Sequence, residues 1–265
     1  MSARVFACYN LKGGVGKTTA AVNLAYAATA SGGQVLLWDL DPQAAASYFF
    51  RVKPRIRGGS KQLIKGRREL QDFIKATNYP GLDLMPADFS YRNLDQYLGR
   101  KKRWAGRLAE LVAPVRGEYD HVFLDCAPAI SIVSENVFRA ADVLLIPLIP
   151  TILSLRVYER LKSWFGKHPE FQVRLLPFFS MVDRRRRLHR DTMLDVHRDH
   201  PEVLSTSISY SAVVERMGEF RAPLPVCAPG SESSASFAAL WREVQGRIGQ
   251  EKREITGFPD GNRPI

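Results

Sequence analysis

Cysteine is scarce in this chain, and the three cysteines, Cys8, Cys126 and Cys227, lie far apart with no C-x-x-C pair. This spacing excludes a disulfide framework and a metal site built on thiolates, because both need cysteines in matched sets. We interpret the three cysteines as small buried residues in a reducing cytoplasm.

Long apolar runs are also missing. The longest, around 143–155, is interrupted by Pro147 and Pro150 and is shorter than the roughly 20 residues that a helix needs to cross a bilayer. Residues 1–4 lead directly into a short apolar strand, without the apolar core or cleavage site of an export signal. The sequence therefore predicts a soluble cytoplasmic protein.

Acidic residues are too few to balance the basic ones, since 27 Asp and Glu stand against 38 Lys and Arg, a formal net charge of +11. Such an excess predicts an acidic partner, either nucleic acid or an anionic membrane. The 265 residues, 45% of them hydrophobic, are enough for one sizeable core. We expect a single domain over residues 1–250 and a flexible polar tail over 251–265.

Short apolar runs alternate with segments of helical period along the chain. The runs predict strands at 4–8, 35–38, 82–85, 121–124, 143–148 and 173–180. The segments between them predict helices at 18–30, 104–112, 131–140, 153–165, 189–199 and 233–248. Continuously apolar strands suit a parallel sheet that is covered on both faces. We therefore predict a doubly wound α/β fold, with its ligand at the carboxyl ends of the strands.

A glycine-rich loop separates the first predicted strand from an alanine-rich helix. Backbone N–H groups in this setting bind phosphates, and glycines let the backbone approach them closely. Lys17 is expected to contact the β- and γ-phosphates, and the Thr18 hydroxyl to ligate Mg²⁺. The loop and its helix start comprise Lys12, Gly13, Gly14, Val15, Gly16, Lys17, Thr18 and Thr19.

Carboxylates follow two of the predicted strands. Asp39 and Asp41 come after the strand at 35–38, and two acids at this spacing can face the phosphates together, one near Mg²⁺ and one orienting water. Asp125 ends the strand at 121–124 and fits a Walker B aspartate that holds Mg²⁺ through water. Thr18, Asp41 and Asp125 are our predicted metal residues, and Asp39 is placed in the nucleotide site.

The glycine-rich loop departs from the general P-loop pattern, which has glycine where this chain has Leu11 and has no requirement for Lys12. An additional lysine before the glycines marks the deviant Walker A group, and the chain resembles the ParA/MinD family of ATPases. Cys126 and Pro128 beside Asp125, the A-A-D at 140–142 and the I-P-x-x-P at 146–150 extend the resemblance.

The resemblance implies an ATP- and Mg²⁺-dependent hydrolase that forms a homodimer in its ATP state. In that family the additional lysine, Lys12 here, reaches the phosphates bound by the partner subunit, so it is placed with Lys17 and Asp41 among the catalytic residues. The family also implies that Asp41 positions the attacking water and that Asp39 supports it. Asp183 lies in a segment similar to the family's strand end near adenine, although the later I-P-R pattern is Ile208, Ser209 and Tyr210 here.

A run of arginines follows Asp183, and four consecutive arginines cannot share one helix face, so some must extend from a loop. A solvated charge run is one interpretation, and contacts to phosphate backbones are the other. The family resemblance favours nonspecific binding to double-stranded DNA. The candidate DNA-binding residues are Arg184, Arg185, Arg186, Arg187, Arg190 and Arg216.

A second basic stretch, residues 51–68, carries eight Lys or Arg and no acid. We expect it to be an exposed connection with room for one short helix. Neither the family resemblance nor the phosphate loop assigns it a role.

The resemblance implies a cytoplasmic, nucleoid-associated ATPase whose slow hydrolysis is stimulated by a ParB-like or other cargo-linked adaptor. Its cargo is a plasmid, a chromosome or a protein assembly such as a carboxysome. A MinD-like membrane-associated ATPase is the alternative, but Gly257, Pro259 and Pro264 interrupt the tail and disfavour an amphipathic helix, so no membrane partner is expected. An iron–sulfur carrier and a metabolic amidoligase are further alternatives, which the cysteine spacing and the chain length disfavour.

Overall fold

A computed structural model describes residues 2–99 and 105–256, with side chains described as far as 249. Its centre is a seven-stranded sheet in the order β3-β4-β2-β5-β1-β6-β7. All neighbouring strands are parallel except β3 and β4, which pair antiparallel. The strands are β1 (Arg4–Cys8), β2 (Val35–Asp39), β3 (Lys75–Ala76), β4 (Leu82–Met85), β5 (His121–Asp125), β6 (Val143–Leu148) and β7 (Arg174–Phe179).

Helices cover both faces of this sheet. The longer ones are α1 (Lys17–Ala30), α6 (Ile132–Ala140), α7 (Ile152–Gly166), α8 (Arg187–Asp199), α9 (Ala212–Phe220) and α11 (Glu232–Thr256). The shorter ones are α2 (Ala45–Phe49), α3 (Gly59–Ile64), α4 (Leu94–Leu98), α5 (Arg107–Val112) and α10 (Leu224–Cys227). The predicted doubly wound α/β fold is confirmed.

The central strands are apolar throughout because each faces two cores. Along β1, Val5 and Ala7 pack in the core beneath α5, α6 and α7, whereas Phe6 and Cys8 pack in the core beneath α1 and α11. Successive side chains of a strand point to opposite faces, so a strand covered on both sides needs apolar residues at every position. The order of strands reverses at β1, which lies between β5 and β6, and ligands of open α/β sheets bind at such a switch point.

Two boundaries differ from the sequence prediction in a way that concerns the site. Strands β2 and β5 extend to Asp39 and Asp125, and these two residues are register partners. The predicted strand ends therefore lie inside the sheet, and both carboxylates start from buried backbone.

The basic stretch 51–68 is more than an exposed connection. Its cations are exposed or half-buried, but Ile56, Leu63 and Ile64 are buried and join the core on the β4 side of the sheet. Leu63 and Ile64 are buried on α3, and Ile56 is buried in the loop before it. Their burial was missed because they are few among many charges.

The last helix extends to Thr256, into the segment 251–265 that was predicted as a tail. No glycine or proline stands between Gly249 and Gly257, so nothing in the sequence ends the helix earlier. Residues 257–265 lie outside the described residues. Among the residues that are described, no helix is both long enough and apolar enough to cross a membrane.

Candidate functional site: a phosphate-binding cleft

The glycine-rich loop connects β1 to α1 at the switch point of the sheet. Gly14 and Gly16 have φ values of 70° and 92°, in the left-handed region that favours glycine. A Cβ at Gly16 would also come 3.0 Å from the Ser180 hydroxyl oxygen. The loop therefore needs glycine at 16 both for its backbone conformation and for its close approach to the end of β7.

Asn10 fixes this loop to the sheet, a role that the sequence analysis missed. Its side chain is 2% exposed, its Nδ2 donates to the Pro147 carbonyl at 2.8 Å, and its Oδ1 accepts the Lys12 N–H at 2.9 Å. A buried amide with both ends bonded holds its neighbours in one arrangement. The signal in the sequence was a polar residue directly after a buried strand.

Lys17 opens α1 and is 7% exposed. Its Nζ donates to the Lys12 carbonyl at 3.1 Å. Burial lowers the pKa of the Lys17 ammonium, and Asp125 opposes this shift. The Lys17 ammonium has further N–H donors available for a phosphate. The negative charge of a bound phosphate would favour the charged ammonium and so oppose the effect of burial.

Asp125 is fully buried, and neither of its carboxylate oxygens has a hydrogen-bond partner within the described part of the chain. Burial raises its pKa well above the usual range, and the nearby Asp39 carboxylate adds to the rise, whereas Thr18 and Lys17 oppose it. A buried carboxylate without partners is costly. A cation bound between Asp125 and Thr18 would remove that cost.

Asp39 and Asp41 differ in burial and in hydrogen bonding. Asp39 is fully buried, and its Oδ2 accepts both the N–H and the hydroxyl of Ser47 at 2.8 Å, while its Oδ1 accepts the Asp41 N–H at 3.3 Å. Burial raises the pKa of Asp39 to about 6, against the hydrogen bonds from Ser47. The place of Asp39 in the nucleotide site stays a prediction, and both of its carboxylate oxygens already accept hydrogen bonds from Ser47 and from the Asp41 N–H. Asp41 is half-buried and lines the cleft.

The cleft encloses about 370 Å³, within the size range of small-molecule sites. The loop glycines, Lys17, Thr18, Thr19, Asp41 and Pro128 form one end of it. The other end is largely apolar and suits a flat ring. That end is lined by Ser180, Met181, Ile208, Ser209, Tyr210, Ser211, Val214, Glu215 and Phe237.

The residues of the apolar end were mostly missed by the sequence analysis, which placed Asp183 beside the base. The structure places the Asp183 carboxylate in ion pairs with Arg185 at 3.0 Å and Arg186 at 3.6 Å, and Asp183 does not line the cleft. The hydrogen bond from Arg185 lowers the pKa of Asp183 to about 2. Contact between Asp183 and a base stays a prediction. In this structure both carboxylate oxygens of Asp183 are already paired with arginine side chains.

The arginines after Asp183 form an ordered turn, the arginine turn, which we define as residues 183–191. Arg187 pairs with Asp191 at 3.2 Å, and Arg190 donates to the Arg184 carbonyl at 2.7 Å. Five arginines and two aspartates leave a formal charge of +3, and the side chains of Arg185 and Arg187 are 89% and 86% exposed.

The remaining DNA-binding candidate lies on a different element. Arg216 is on α9, where its guanidinium stacks over the Phe220 ring at 5.2 Å. The structure therefore brings five of the six candidate arginines together and leaves Arg216 on its own helix.

His189 is buried and connects the two ends of the arginine turn by a hydrogen bond to Asp183. It is 4% exposed, and its Nδ1 accepts the Asp183 N–H at 3.1 Å, which requires an unprotonated Nδ1. Burial lowers the pKa of His189, and the nearby Arg186 lowers it further. The neutral ring is thus part of the conformation that presents the arginines.

Lys12 is exposed and directly precedes Gly13, which lines the cleft, so it lies at the rim. Its backbone is fixed by the bond from its N–H to Asn10 and by the bond that its carbonyl accepts from Lys17. No group of three or more His, Cys, Asp or Glu that could hold a metal occurs among the side chains described in residues 2–99 and 105–249.

A glycine loop between a strand and a helix, a buried lysine and two carboxylates at neighbouring strand ends define a P-loop nucleotide-binding ATPase fold. A family model described as an AAA domain matches residues 3–167. The chromosome partitioning protein ParA of Caulobacter vibrioides is 32% identical over 256 residues, which span 92% of this chain and 94% of that protein. The chain belongs to the ParA/MinD family of P-loop ATPases, as the additional lysine indicated.

Solved structures match over most of the chain. The ATP complex of a singly substituted McdA from Cyanothece has a TM-score of 0.80 at 20% identity, covering 92% of this chain and 97% of that one. Cobyrinic acid a,c-diamide synthase of Mycobacterium smegmatis with bound ADP and magnesium has a TM-score of 0.79 at 24% identity, covering 94% and 96%. At these identities the likeness concerns the fold.

Proposed function

We propose that this protein is a positioning ATPase that dimerises around ATP, binds double-stranded DNA without sequence preference, and places a cargo by cycles of ATP hydrolysis. The cargo is a plasmid, a chromosome or a protein assembly such as a carboxysome. The observation that carries the proposal is the pair of lysines in the loop, Lys17 buried inside the cleft and Lys12 exposed at its rim. The similarity to ParA of Caulobacter vibrioides supports it.

The cleft fits ATP and Mg²⁺. Thr18, Asp41 and Asp125 would hold the ion, and the unpartnered oxygens of Asp125 support that assignment. Bound Mg²⁺ neutralises charge on the phosphates during their transfer to water. The ATP-bound McdA and the ADP- and magnesium-bound synthase share this fold.

The residues of the chain divide the work of hydrolysis. The loop N–H groups and the Lys17 ammonium bind the phosphates, with Lys17 exchanging its bond to the Lys12 carbonyl for phosphate oxygens. Asp41 orients the attacking water and accepts its proton. Asp39, tied to Ser47 and to the Asp41 N–H, fixes the turn that carries Asp41.

Lys12 completes the site of a second copy. An exposed lysine at the rim of the cleft can reach the phosphates of a facing subunit, as an arginine finger does in trans. Dimerisation then depends on ATP, because the nucleotide lies between the two copies. Hydrolysis releases the dimer, so slow turnover lets the dimer persist, and a cargo-linked adaptor, ParB-like or other, accelerates it.

The arginine turn binds the DNA. Its five arginines contact phosphates, which gives affinity without sequence readout and a steep dependence on salt. Binding to nucleoid DNA keeps this cytoplasmic protein at the nucleoid. DNA binding depends on ATP because the ATP-bound dimer presents twice as many arginines as the monomer.

Fluorescence anisotropy with labelled duplexes tests the proposal. We expect an Asp41→Ala variant held in the ATP state to bind two unrelated sequences equally, with affinity falling as salt rises, and to bind weakly with ADP. Changing Arg184, Arg185, Arg186 and Arg187 together to Ala removes the binding. Equal affinity with ADP, or unchanged binding by the alanine variant, contradicts the proposal. Sedimentation with anionic vesicles and ATP tests the MinD-like alternative, which predicts recovery in the pellet.

A further inference from the structure

A second basic surface lies at the opposite edge of the sheet from the arginine turn. It is a hollow of about 520 Å³, which we call the basic hollow. It lies between the end of α2 and the edge strand β3. Its lining residues are Arg55, Ile56, Arg57, Gly58, Arg68, Asp72, Phe73 and Lys75.

The backbone of the basic hollow is fixed. Ile56 is buried and its N–H donates to the Asp88 carboxylate at 2.9 Å, so Arg55 and Arg57 extend outward on either side of an anchored residue. The Ser60 N–H donates to the Ser90 hydroxyl at 2.7 Å, and the Ser60 hydroxyl donates to the Ser90 carbonyl at 3.0 Å. The charges therefore lie on an ordered loop, unlike those of a solvated charge run.

The cations that line the basic hollow form no ion pair with the described residues. Arg55, Arg57, Arg68 and Lys75 face one acid, Asp72, which leaves a formal charge of +3. None of the four makes an ion pair or a side-chain hydrogen bond with another described residue. In the arginine turn, by contrast, Asp183 and Asp191 occupy three of the guanidinium groups. The hollow keeps its donors for a ligand.

Its position separates the basic hollow from both sites described above. Strand β3 and strand β7 are the two edges of the sheet, six strand spacings apart, which is roughly 29 Å at about 4.8 Å each. The hollow and the nucleotide cleft share no lining residue.

We propose that the basic hollow binds a small polyphosphorylated anion, one that carries three or more closely spaced negative charges. Guanidinium forks match phosphate oxygens in pairs, and a charge of +3 requires more than a single phosphate monoester to balance it. The hollow has the volume of a small-molecule site. A hollow of about 520 Å³ admits a compact ligand, whereas a duplex is too wide to enter it.

Calorimetry with inorganic tripolyphosphate tests the proposal in a Lys17→Ala background, in which the nucleotide cleft has lost its phosphate-binding ammonium. We expect binding that Arg55→Gln with Arg57→Gln weakens about tenfold or more. Lys53→Gln with Lys61→Gln removes the same charge from exposed positions of the same stretch outside the hollow, and we expect it to change the affinity by no more than about twofold.

Absence of tripolyphosphate binding, or an equal loss in the two double variants, overturns the proposal. A duplex-binding assay of the Arg55 and Arg57 double variant distinguishes a small polyphosphorylated anion from the phosphate backbone of a nucleic acid. If duplex binding is lost and tripolyphosphate binding is retained, the surface is a nucleic-acid contact and the small-anion assignment is wrong. The calorimetry with tripolyphosphate does not depend on dimerisation around ATP, so its failure leaves the proposed function standing.

Discussion

Arg51, which follows α2, caps α9, and Arg221, which follows α9, caps α2. Arg51 comes after α2, and its Nη2 donates to the Phe220 carbonyl at the end of α9 at 2.8 Å. Arg221 comes after α9, and its Nε donates to the Tyr48 carbonyl near the end of α2 at 3.0 Å, with its guanidinium 4.4 Å from the centre of the Tyr48 ring.

Both arginines have positive φ values, 58° for Arg51 and 50° for Arg221. A non-glycine residue in this conformation is unusual, and here the capping bonds account for keeping arginine. Helix α2 follows the Asp41 turn, and α9 carries Val214 and Glu215 of the cleft. The reciprocal cap therefore joins the phosphate end of the cleft to its apolar end.

The reciprocal cap predicts a loss of stability in an Arg51→Ala variant. One charge-assisted bond to a helix end is lost, so we expect the free energy of unfolding to fall by about 1 kcal/mol. Chemical denaturation measures it. Arg51→Gly is the matched control, because glycine relieves the positive φ and should recover part of the loss. Adding Arg221→Ala should cost less than the sum of the single changes, and simple additivity would argue against a shared cap.

Lys12→Ala is expected to spare nucleotide binding by the monomer while it impairs dimerisation or hydrolysis, because the proposed function assigns its exposed ammonium to the partner subunit. Binding of a fluorescent ATP analogue, light scattering with ATP and phosphate release measure the three properties. Lys17→Ala is the contrasting variant and should lose nucleotide binding itself. A Lys12→Ala protein that dimerises and turns over ATP normally rules out the role in trans.

Asp125→Asn is expected to stabilise the nucleotide-free protein and to abolish the stabilisation that Mg²⁺ and ATP provide. The buried carboxylate has no partner among the described residues, so its charge costs stability until a cation binds. Because its folded pKa is raised, the folded state binds more protons than the unfolded state as pH rises above about 4. Wild-type stability therefore falls with pH relative to the variant, which thermal unfolding at several pH values measures.

A constant difference between wild type and Asp125→Asn across pH would show that Asp125 is not the titrating group. Asp39 shares this pH window, since its pKa is raised to about 6. Asp39 is present in both proteins, but it lies beside Asp125 and the two carboxyl groups influence each other, so the pH-dependent difference reports the pair.

His189→Ala is expected to weaken duplex binding although His189 is buried and cannot reach DNA. Loss of the bond to the Asp183 N–H loosens the turn that presents the arginines. His189→Asn, whose side-chain oxygen can accept the same N–H, should restore part of the affinity. Unchanged binding by the Ala variant means that the ring does not position the arginines.

The same histidine gives a pH dependence. The pKa of His189 is lowered by burial and by Arg186, with Asp183 opposing. The unfolded state therefore binds more protons than the folded state below about 6.5. The contribution of the neutral ring is present above that pH and is lost as pH falls through the folded pKa, so duplex affinity should decline on acidification more steeply in wild type than in His189→Asn.

Much of the site followed from local sequence because phosphate binding is a local property. The loop from Lys12 to Thr19 needs only a strand before it and a helix after it, and both are encoded by nearby residues. The apolar end of the cleft came from segments around 181, 210 and 237 that are distant in sequence. Short elements such as α9 and α10 carry too few periodic positions to be found from the pattern.

The sequence by itself determined that a phosphate loop, two strand-end carboxylates and an excess of positive charge would be present, since each is a matter of residue type and spacing. Only the tertiary structure decided which carboxylate is hydrogen-bonded and which is left without a partner among the described residues. The parallel register of β2 and β5 places Asp39 and Asp125 side by side in the buried sheet, and Ser47 is available to hydrogen-bond Asp39 but not Asp125. The Asp39 carboxylate is hydrogen-bonded and that of Asp125 is without a partner among the described residues, because hydrogen-bond partners are set by packing.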